Sequence, residues 1–285
     1  MQITVADNAQ QTMASVLQSA LERSRDVRIA VAFLSQSGLD RVWPPLQKVL
    51  QTGGAVEFLV GLDATVTEPQ ALWHLYETSR ASQLALYCYT DPGTASLYHP
   101  KLYLMRNDAD VVAIVGSSNL TQGGLEDNVE VNMVIQASLE TEIISDLYGV
   151  YNRLKFDPHR VEPDEEFLEL YEALCTRKRR SPRQGGRADR DLTRAFREKV
   201  RHLRRPSPLA HDLVGWLKLV YTHLPDGEFT NQDLYAREAV FRQHYPNNRN
   251  VQAKVRQQLQ ILRDMGLVEH LGPSHWRKTT WSERL

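Results

Sequence analysis

Cysteine is nearly missing from this 285-residue chain, which has only Cys88 and Cys175. Neither sits in a metal-ligand spacing, so a disulfide framework and a structural zinc site are excluded, and both read as packing residues of a reducing compartment. Long apolar runs are also absent, and Asn8, Gln10, Gln11 and Gln18 occupy the place of a signal-peptide core. The expectation is a soluble, cytoplasmic protein with no membrane partner. No group of carboxylates has the spacing of a Mg²⁺ site, so neither metal nor cofactor is expected.

Net charge is scarce too, at −1, but its distribution is uneven. Residues 1–176 hold 11 basic against 24 acidic side chains, a net of −13, whereas residues 177–205 hold 13 against 3, a net of +10. Residues 206–285 are close to neutral at +2. Such asymmetry suggests that one part of the chain approaches a polyanion.

A length of 285 residues favours two domains. Met13, Val16, Leu17, Ala20 and Leu21 have helical spacing, and Val27 to Leu34 reads as a buried strand. A second helix carries Leu39, Val42, Leu46 and Leu50, with Pro44 and Pro45 expected in its first turn and Gly53-Gly54 as its stop. Strands follow at 56–62 and 84–89, with a helix around 72–81 between them and a turn at Asp91-Pro92-Gly93. Further strands are expected at 101–105, 111–115 and 129–135, then helices at 139–154 and 164–174. This alternation predicts an α/β sandwich with a mixed sheet.

The chemistry-bearing residues lie between His99 and Glu130. The chain reads His99-Pro100-Lys101, then Gly116-Ser117-Ser118-Asn119, then Asn128-Val129-Glu130. Within each segment the polar residues are two apart, so three strands could bring His99 with Lys101, Ser117 with Asn119, and Asn128 with Glu130 onto one sheet face. Polar residues of these types have no packing reason to recur on three apolar strands.

This order, His-x-Lys, Gly-Ser-x-Asn and Asn-x-Glu, resembles the phospholipase D superfamily, most of all its nuclease branch, over about residues 1–155. The full signature has an Asp five places after the Lys; here that position is Arg106. The resemblance implies catalysis by His99, Lys101, Ser117, Asn119 and Glu130. His99 would attack phosphorus to form a phosphohistidine, while Lys101, Asn119 and Ser117 stabilise the phosphoryl oxygens. Glu130 would hold the imidazole, and Asn128 would be a local support. Superfamily members use a second His-x-Lys set as general acid, and this chain has one. A complete site therefore implies a homodimer through the nuclease domain, working without metal.

Arg177 to Arg187 offers nothing apolar to bury and reads as a linker, and residues 191–205 regain helical potential among many arginines. Basic residues there suit phosphate contact. From Pro208 the pattern predicts three helices, the second opened by Thr230 with Asp233, and a hairpin through Gly272-Pro273: a winged helix. Tyr245-Pro246-Asn247-Asn248 and the run Lys254 to Leu267 resemble the C-terminal domain of Dam-replacing restriction endonucleases, which act on adenine-methylated DNA.

On the third helix, Val251, Val255, Leu259 and Leu262 form a core side, and Gln258 projects with them. Arg249, Asn250, Arg256, Gln257 and Gln260 suit base readout, and Trp276 suits either a methyl contact or the closing of a core. The expected organisation is thus α/β: a phospholipase D-like mixed-sheet sandwich at 1–176, a basic linker with a helix at 177–207, and a small winged-helix domain at 208–285. The reading is a DNA endonuclease of restriction type, with adenine-methylated double-stranded DNA as partner. Its rivals are a DNA-binding regulator with a vestigial site and a lipid phosphodiesterase.

Overall fold

The structure, a computed structural model, describes residues 1–90, 97–180 and 187–280. The turn expected at Asp91 to Gly93, the middle of the basic segment from Ser181 to Gly186, and Trp281 lie outside the described residues. The chain forms two compact units, Met1–Gln136 with Pro158–Pro206, and Ala137–Asp157 with Ser207–Leu285.

In chain order the first part gives β1 (Gln2–Ala6), α1 (Met13–Leu21), β2 (Asp26–Val31), α2 (Gln36–Gln51), β3 (Ala55–Gly61), α3 (Pro69–Ser79) and β4 (Leu84–Tyr89). Then come β5 (Lys101–Arg106), β6 (Val111–Gly116), a π-helical turn at Gly123–Asp127, and β7 (Asn132–Ala137). Helix α4 (Glu142–Lys155) belongs to the second unit. Strand β8 (Arg160–Val161) and helices α5 (Glu165–Arg180) and α6 (Arg187–His202) return to the first.

The eight strands make one mixed sheet in the order β1-β7-β6-β5-β2-β3-β4-β8. Strands β2, β3 and β4 run parallel, as the helical crossovers between them require, while β5 is antiparallel to both β2 and β6. All six residues of β2 are buried, because it lies well inside the sheet. The α/β expectation therefore holds, with β1 and β8 added at the two edges.

Helix α2 departs from the sequence reading. It begins at Gln36, capped by the Ser35 hydroxyl, so Pro44 and Pro45 fall in its middle. Pro45 cannot donate to the Arg41 carbonyl, and Gln18 Nε2 on α1 donates to that oxygen instead at 2.6 Å. Packing between the two helices thus satisfies the carbonyl that proline orphans.

The expected linker departs as well. Helix α5 extends to Arg180, and α6 buries Phe196 and Val200 in the core of the first unit, with Phe196 stacked 5.0 Å from Phe167. The helical spacing read at 191–205 is that of α6, whose apolar side packs into the first unit instead of leaving the segment as a linker.

The second unit adds α7 (Gly215–Thr222), β9 (Glu228–Thr230), α8 (Asn231–Tyr235), α9 (Glu238–His244), α10 (Val251–Asp264), β10 (Val268–Gly272) and β11 (His275–Lys278). A three-stranded sheet in the order β10-β11-β9 completes a winged helix. Asp233 Oδ2 accepts from the Thr230 amide at 2.7 Å, as the expected cap requires, although the second helix is broken into α8 and α9. The residues expected to close the nuclease domain instead supply α4 to this unit. Lys155 pairs with Asp212 at 2.9 Å, both fully buried, and the Ser145 hydroxyl accepts from the Trp216 amide at 2.8 Å.

Candidate active site

The motif residues gather where β5 begins and β6 ends. Their placement corrects the sequence reading, because only Lys101 lies within a strand; His99, Ser117, Asn119, Asn128 and Glu130 occupy the loops beside strand ends. Loop positions at a sheet edge leave side chains open to a large substrate, whereas the sheet faces are taken up by helices and core.

His99 is exposed and packs edge-on against Phe33, with 5.5 Å between ring centroids. The buried Lys101 places its ammonium 2.7 Å from Nδ1 and 3.0 Å from Nε2 of that imidazole. Desolvation lowers the His99 pKa below 6.5, and the neighbouring Lys101 charge lowers it further. Burial also lowers the Lys101 pKa, opposed by the charge of Glu130. The site therefore holds a neutral imidazole beside a cation at neutral pH.

The Ser117 hydroxyl donates to Glu130 Oε2 and accepts the Val131 amide at 3.0 Å. Asn128 Nδ2 approaches Glu130 Oε1 at 3.5 Å, in keeping with a supporting role. Among the described residues no hydrogen bond joins Glu130 to His99, so the imidazole-holding contact is not made within one chain. Asn119 Oδ1 accepts the Phe33 amide at 3.1 Å, which leaves the two N–H donors of its amide for substrate.

Residues beside the reacting groups lock this loop, and of these sequence reasoning missed Asn132, Asn8 and Gly124. Asn132 is fully buried; its Oδ1 accepts the Ser118 amide at 3.2 Å and its Nδ2 donates to Ser118 Oγ at 2.8 Å. Tyr103 donates to the Ser118 carbonyl at 2.9 Å. A Cβ at Gly116 would stand 2.3 Å from Asn132 Oδ1, and one at Gly124 would stand 2.5 Å from the Asn119 carbonyl. Asn8, in a left-handed conformation, donates to the carbonyls of Gly124 and Asn128 at 3.2 Å each. The one available signal for Asn132 was its polar side chain between apolar neighbours, Val131 and Met133.

Arg106, which replaces the signature Asp, lies at the far end of β5 and pairs with Asp26 at 3.4 Å. Five residues of strand separate it from Lys101, or about 17 Å. Its identity takes no group away from the cluster.

Residues 5–154 match the family described as cardiolipin synthase, PLD-like domain, which is more than half of the chain. The chain belongs to the phospholipase D-like family. Its phospholipase D-like domain is followed by a match over residues 214–278 to the family described as Dam-replacing HTH domain. Among solved structures it is similar to NucT from Helicobacter pylori, at 15% identity and a TM-score of 0.41, over 54% of this chain and 94% of that one. It is also similar to the phospholipase D family member Nuc from Salmonella typhimurium, at 14% identity and a TM-score of 0.42, over 53% and 91%. A third is phosphatidylserine synthase from Haemophilus influenzae, at 13% and 0.44, over 67% and 47%.

In the Dam-replacing HTH domain, Arg249, Gln257 and Gln260 are exposed and make no hydrogen bond among the described residues. Asn250 is the N-cap of α10, its Oδ1 accepting the Ala253 amide at 3.2 Å, and Arg256 donates to the Tyr235 hydroxyl at 2.8 Å. Gln258 is buried on the core side, as its position on the helix predicts. Trp276 corrects the sequence reading. It is only 4% exposed, its indole N–H donates to Asn231 Oδ1 at 2.9 Å, and it closes the core of the unit rather than offering a methyl contact. No helix among the described residues is long and apolar enough to cross a membrane.

Proposed function

We propose that the protein is a DNA endonuclease that cleaves phosphodiester bonds through a covalent phosphohistidine, directed to adenine-methylated DNA by its winged helix. The observation that carries this reading is the contact between an exposed, neutral His99 and the buried Lys101 ammonium, within one cluster with Ser117, Asn119 and Glu130.

The neutral His99 imidazole attacks phosphorus, a P–N bond forms, and the bond to the leaving nucleoside oxygen breaks. Lys101 and the Asn119 amide donate to the non-bridging oxygens as charge builds there. The leaving oxygen takes its proton from His99 of the partner subunit, which acts in its protonated form, the minority form that the lowered pKa leaves at neutral pH. That imidazole, now neutral, takes a proton from water; the water attacks phosphorus and frees His99. No step calls on a metal.

Support for a dimer comes from the single His-x-Lys in the sequence and from an exposed apolar surface beside the site. Val5 and Met133 face each other on β1 and β7, and Val115, Val129 and Val131 border Ser117 and Glu130, with Val129 98% exposed. Valine and methionine side chains this open favour cover by a second copy. A carboxylate at that seam, Glu130, could then meet the imidazole that it does not reach within its own chain.

The winged helix supports DNA as the substrate, since α10 presents Gln257 and Gln260, which suit adenine, and Arg249, just before its N-cap, suits guanine. The experiment is digestion of adenine-methylated and unmethylated plasmid by the full chain, with and without excess EDTA, beside a phosphatidyl substrate. Preferential cutting of methylated plasmid that survives EDTA is expected. Strict Mg²⁺ dependence overturns the mechanism, equal cutting overturns the methyl reading, and turnover of the phosphatidyl substrate alone overturns the nuclease.

A further inference from the structure

Grouping α6 with the catalytic unit changes the electrostatics expected from sequence. Residues 1–176 taken as a stretch carry −13, but the first unit as folded holds 22 basic against 23 acidic side chains and is close to neutral. Its cations are concentrated late in the chain. Arg190, Arg194, Arg197 and Arg201 are spaced by four, three and four residues, so they share one face of α6, beside the one that buries Phe196 and Val200. All four are exposed, with the Arg194 side chain 81% and the Arg201 side chain 74% accessible.

We propose that this arginine row is a DNA-backbone contact built into the nuclease unit itself, separate from the winged helix; this rests on the reading of the protein as a DNA endonuclease. Eleven helical steps place the row along about 16 Å, which spans about five phosphates of each strand.

The arginines have little other employment. Arg190 and Arg197 make no ion pair among the described residues, and Arg194 and Arg201 meet only Asp191 at 3.5 Å and Glu198 at 3.0 Å on their own helix. Exposed pairs of this kind hold a side chain by at most about 1 kcal/mol, so phosphate can displace them. All four positions are arginine, whose planar fork matches a phosphate, while the lysine of α6 lies on the anchoring side. Lys199 reaches Asp164 at 2.7 Å and Glu166 at 2.5 Å.

Anchoring makes the row a fixed surface. Phe196 stacks on Phe167, the Glu162 amide donates to the Arg204 carbonyl at 2.9 Å, and Arg205 donates to the Arg160 carbonyl at 3.3 Å. A helix held in this way loses little chain entropy when it meets a duplex, whereas a free basic linker would lose much more.

The test measures the salt dependence of binding by the full chain to a 30-base-pair duplex lacking adenine methylation. The proteins are wild type, a variant with Arg190, Arg194, Arg197 and Arg201 all changed to Gln, the corresponding four-Lys variant, and a single Arg197→Gln variant. Each lost phosphate contact removes about 0.9 from the slope of log K against log salt, so the four-Gln slope should be shallower by about 3 to 4 and the single variant's by about 1. Between 50 and 200 mM salt the wild-type affinity should then fall on the order of 100-fold further than that of the four-Gln variant. The four-Lys variant should keep most of the wild-type slope. Equal slopes for wild type, four-Gln and Arg197→Gln proteins overturn the contact while leaving the endonuclease reading intact. A wild-type chain that binds no duplex overturns both. Loss of binding confined to vesicles of 30% phosphatidylserine, with the duplex slope unchanged, overturns it in favour of an anionic surface.

Discussion

The proposed catalytic edge and the proposed reading face at α10 differ in how much of the chain holds them. Around His99 and Ser117 the loop is fixed by Asn132, Tyr103, Asn8 and two glycines whose Cβ atoms would collide with it. Gln257 and Gln260 on α10, and Arg249 just before it, stand in solvent with no intramolecular hydrogen bond among the described residues. Phosphoryl transfer needs its groups in place before substrate arrives, because misplacement costs rate directly. Base reading can take its final side-chain geometry from the DNA and accept an entropy cost on binding. The comparison predicts sharp losses at one place and graded losses at the other.

The largest expected effect is at His99. His99→Ala should lower the cleavage rate by on the order of 10⁴ or more while the Kd for duplex DNA stays at the wild-type value. The proposed nucleophile and the proposed reader are carried by different units, so their losses should separate in single-turnover cleavage and in equilibrium binding of the same protein. A folded variant that loses both equally breaks the division.

Next in size is the contribution of α4. Lys155 neutralises Asp212 where both are fully buried, and Asn152 Nδ2 donates to the Asp212 carbonyl at 2.8 Å. A fragment of residues 207–285 lacks both, leaving a buried carboxylate uncompensated at about 3 to 5 kcal/mol, a large part of the stability of a small domain. Such a fragment should show no cooperative thermal transition by circular dichroism. A fragment that melts cooperatively would show that the winged helix is independent of α4.

Smaller losses are expected on the reading face. Gln257→Ala and Gln260→Ala should each reduce discrimination between preferred and non-preferred duplexes by about 1 to 3 kcal/mol without lowering the melting temperature. Competition binding at fixed salt checks this, and unchanged discrimination in both variants removes these residues from the readout.

The residue types of the candidate site were legible because the chemistry proposed for it restricts them to few residues at short spacing: His99 with Lys101, Ser117 with Asn119. Their strand placement was not legible. A spacing of two fits a strand, but it fits equally a loop that follows one, and only the register of β5 against β2 and β6 shows where the strands end. Asn132 was hidden because a buried asparagine reads as an ordinary polar interruption until its partner, Ser118, is known. Helix α4 was assigned by order along the chain, whereas contacts such as Lys155 with Asp212 join residues 57 positions apart. Trp276 was ambiguous for a related reason: an aromatic on a short strand suits a surface contact or a core, and Asn231 decides for the core.

The smallest effect is expected where the family signature and this chain disagree. Arg106 stands directly opposite Asp26 in the register of β5 on β2, and Asp26 also pairs with the buried Arg28 at 3.1 Å. Arg106→Asp restores the signature residue but sets two carboxylates against each other across the strands, at a cost of about 0.2 to 1 kcal/mol. If the site were vestigial for want of that Asp, restoring it would raise cleavage. The geometry argues otherwise, since the position lies a strand length away from His99 and contacts none of the cluster. Arg106→Asp should therefore lower the melting temperature slightly and leave the single-turnover cleavage rate where it was. A rate that climbs well above wild type would mean that the far end of β5 acts on the catalytic loop through the strand.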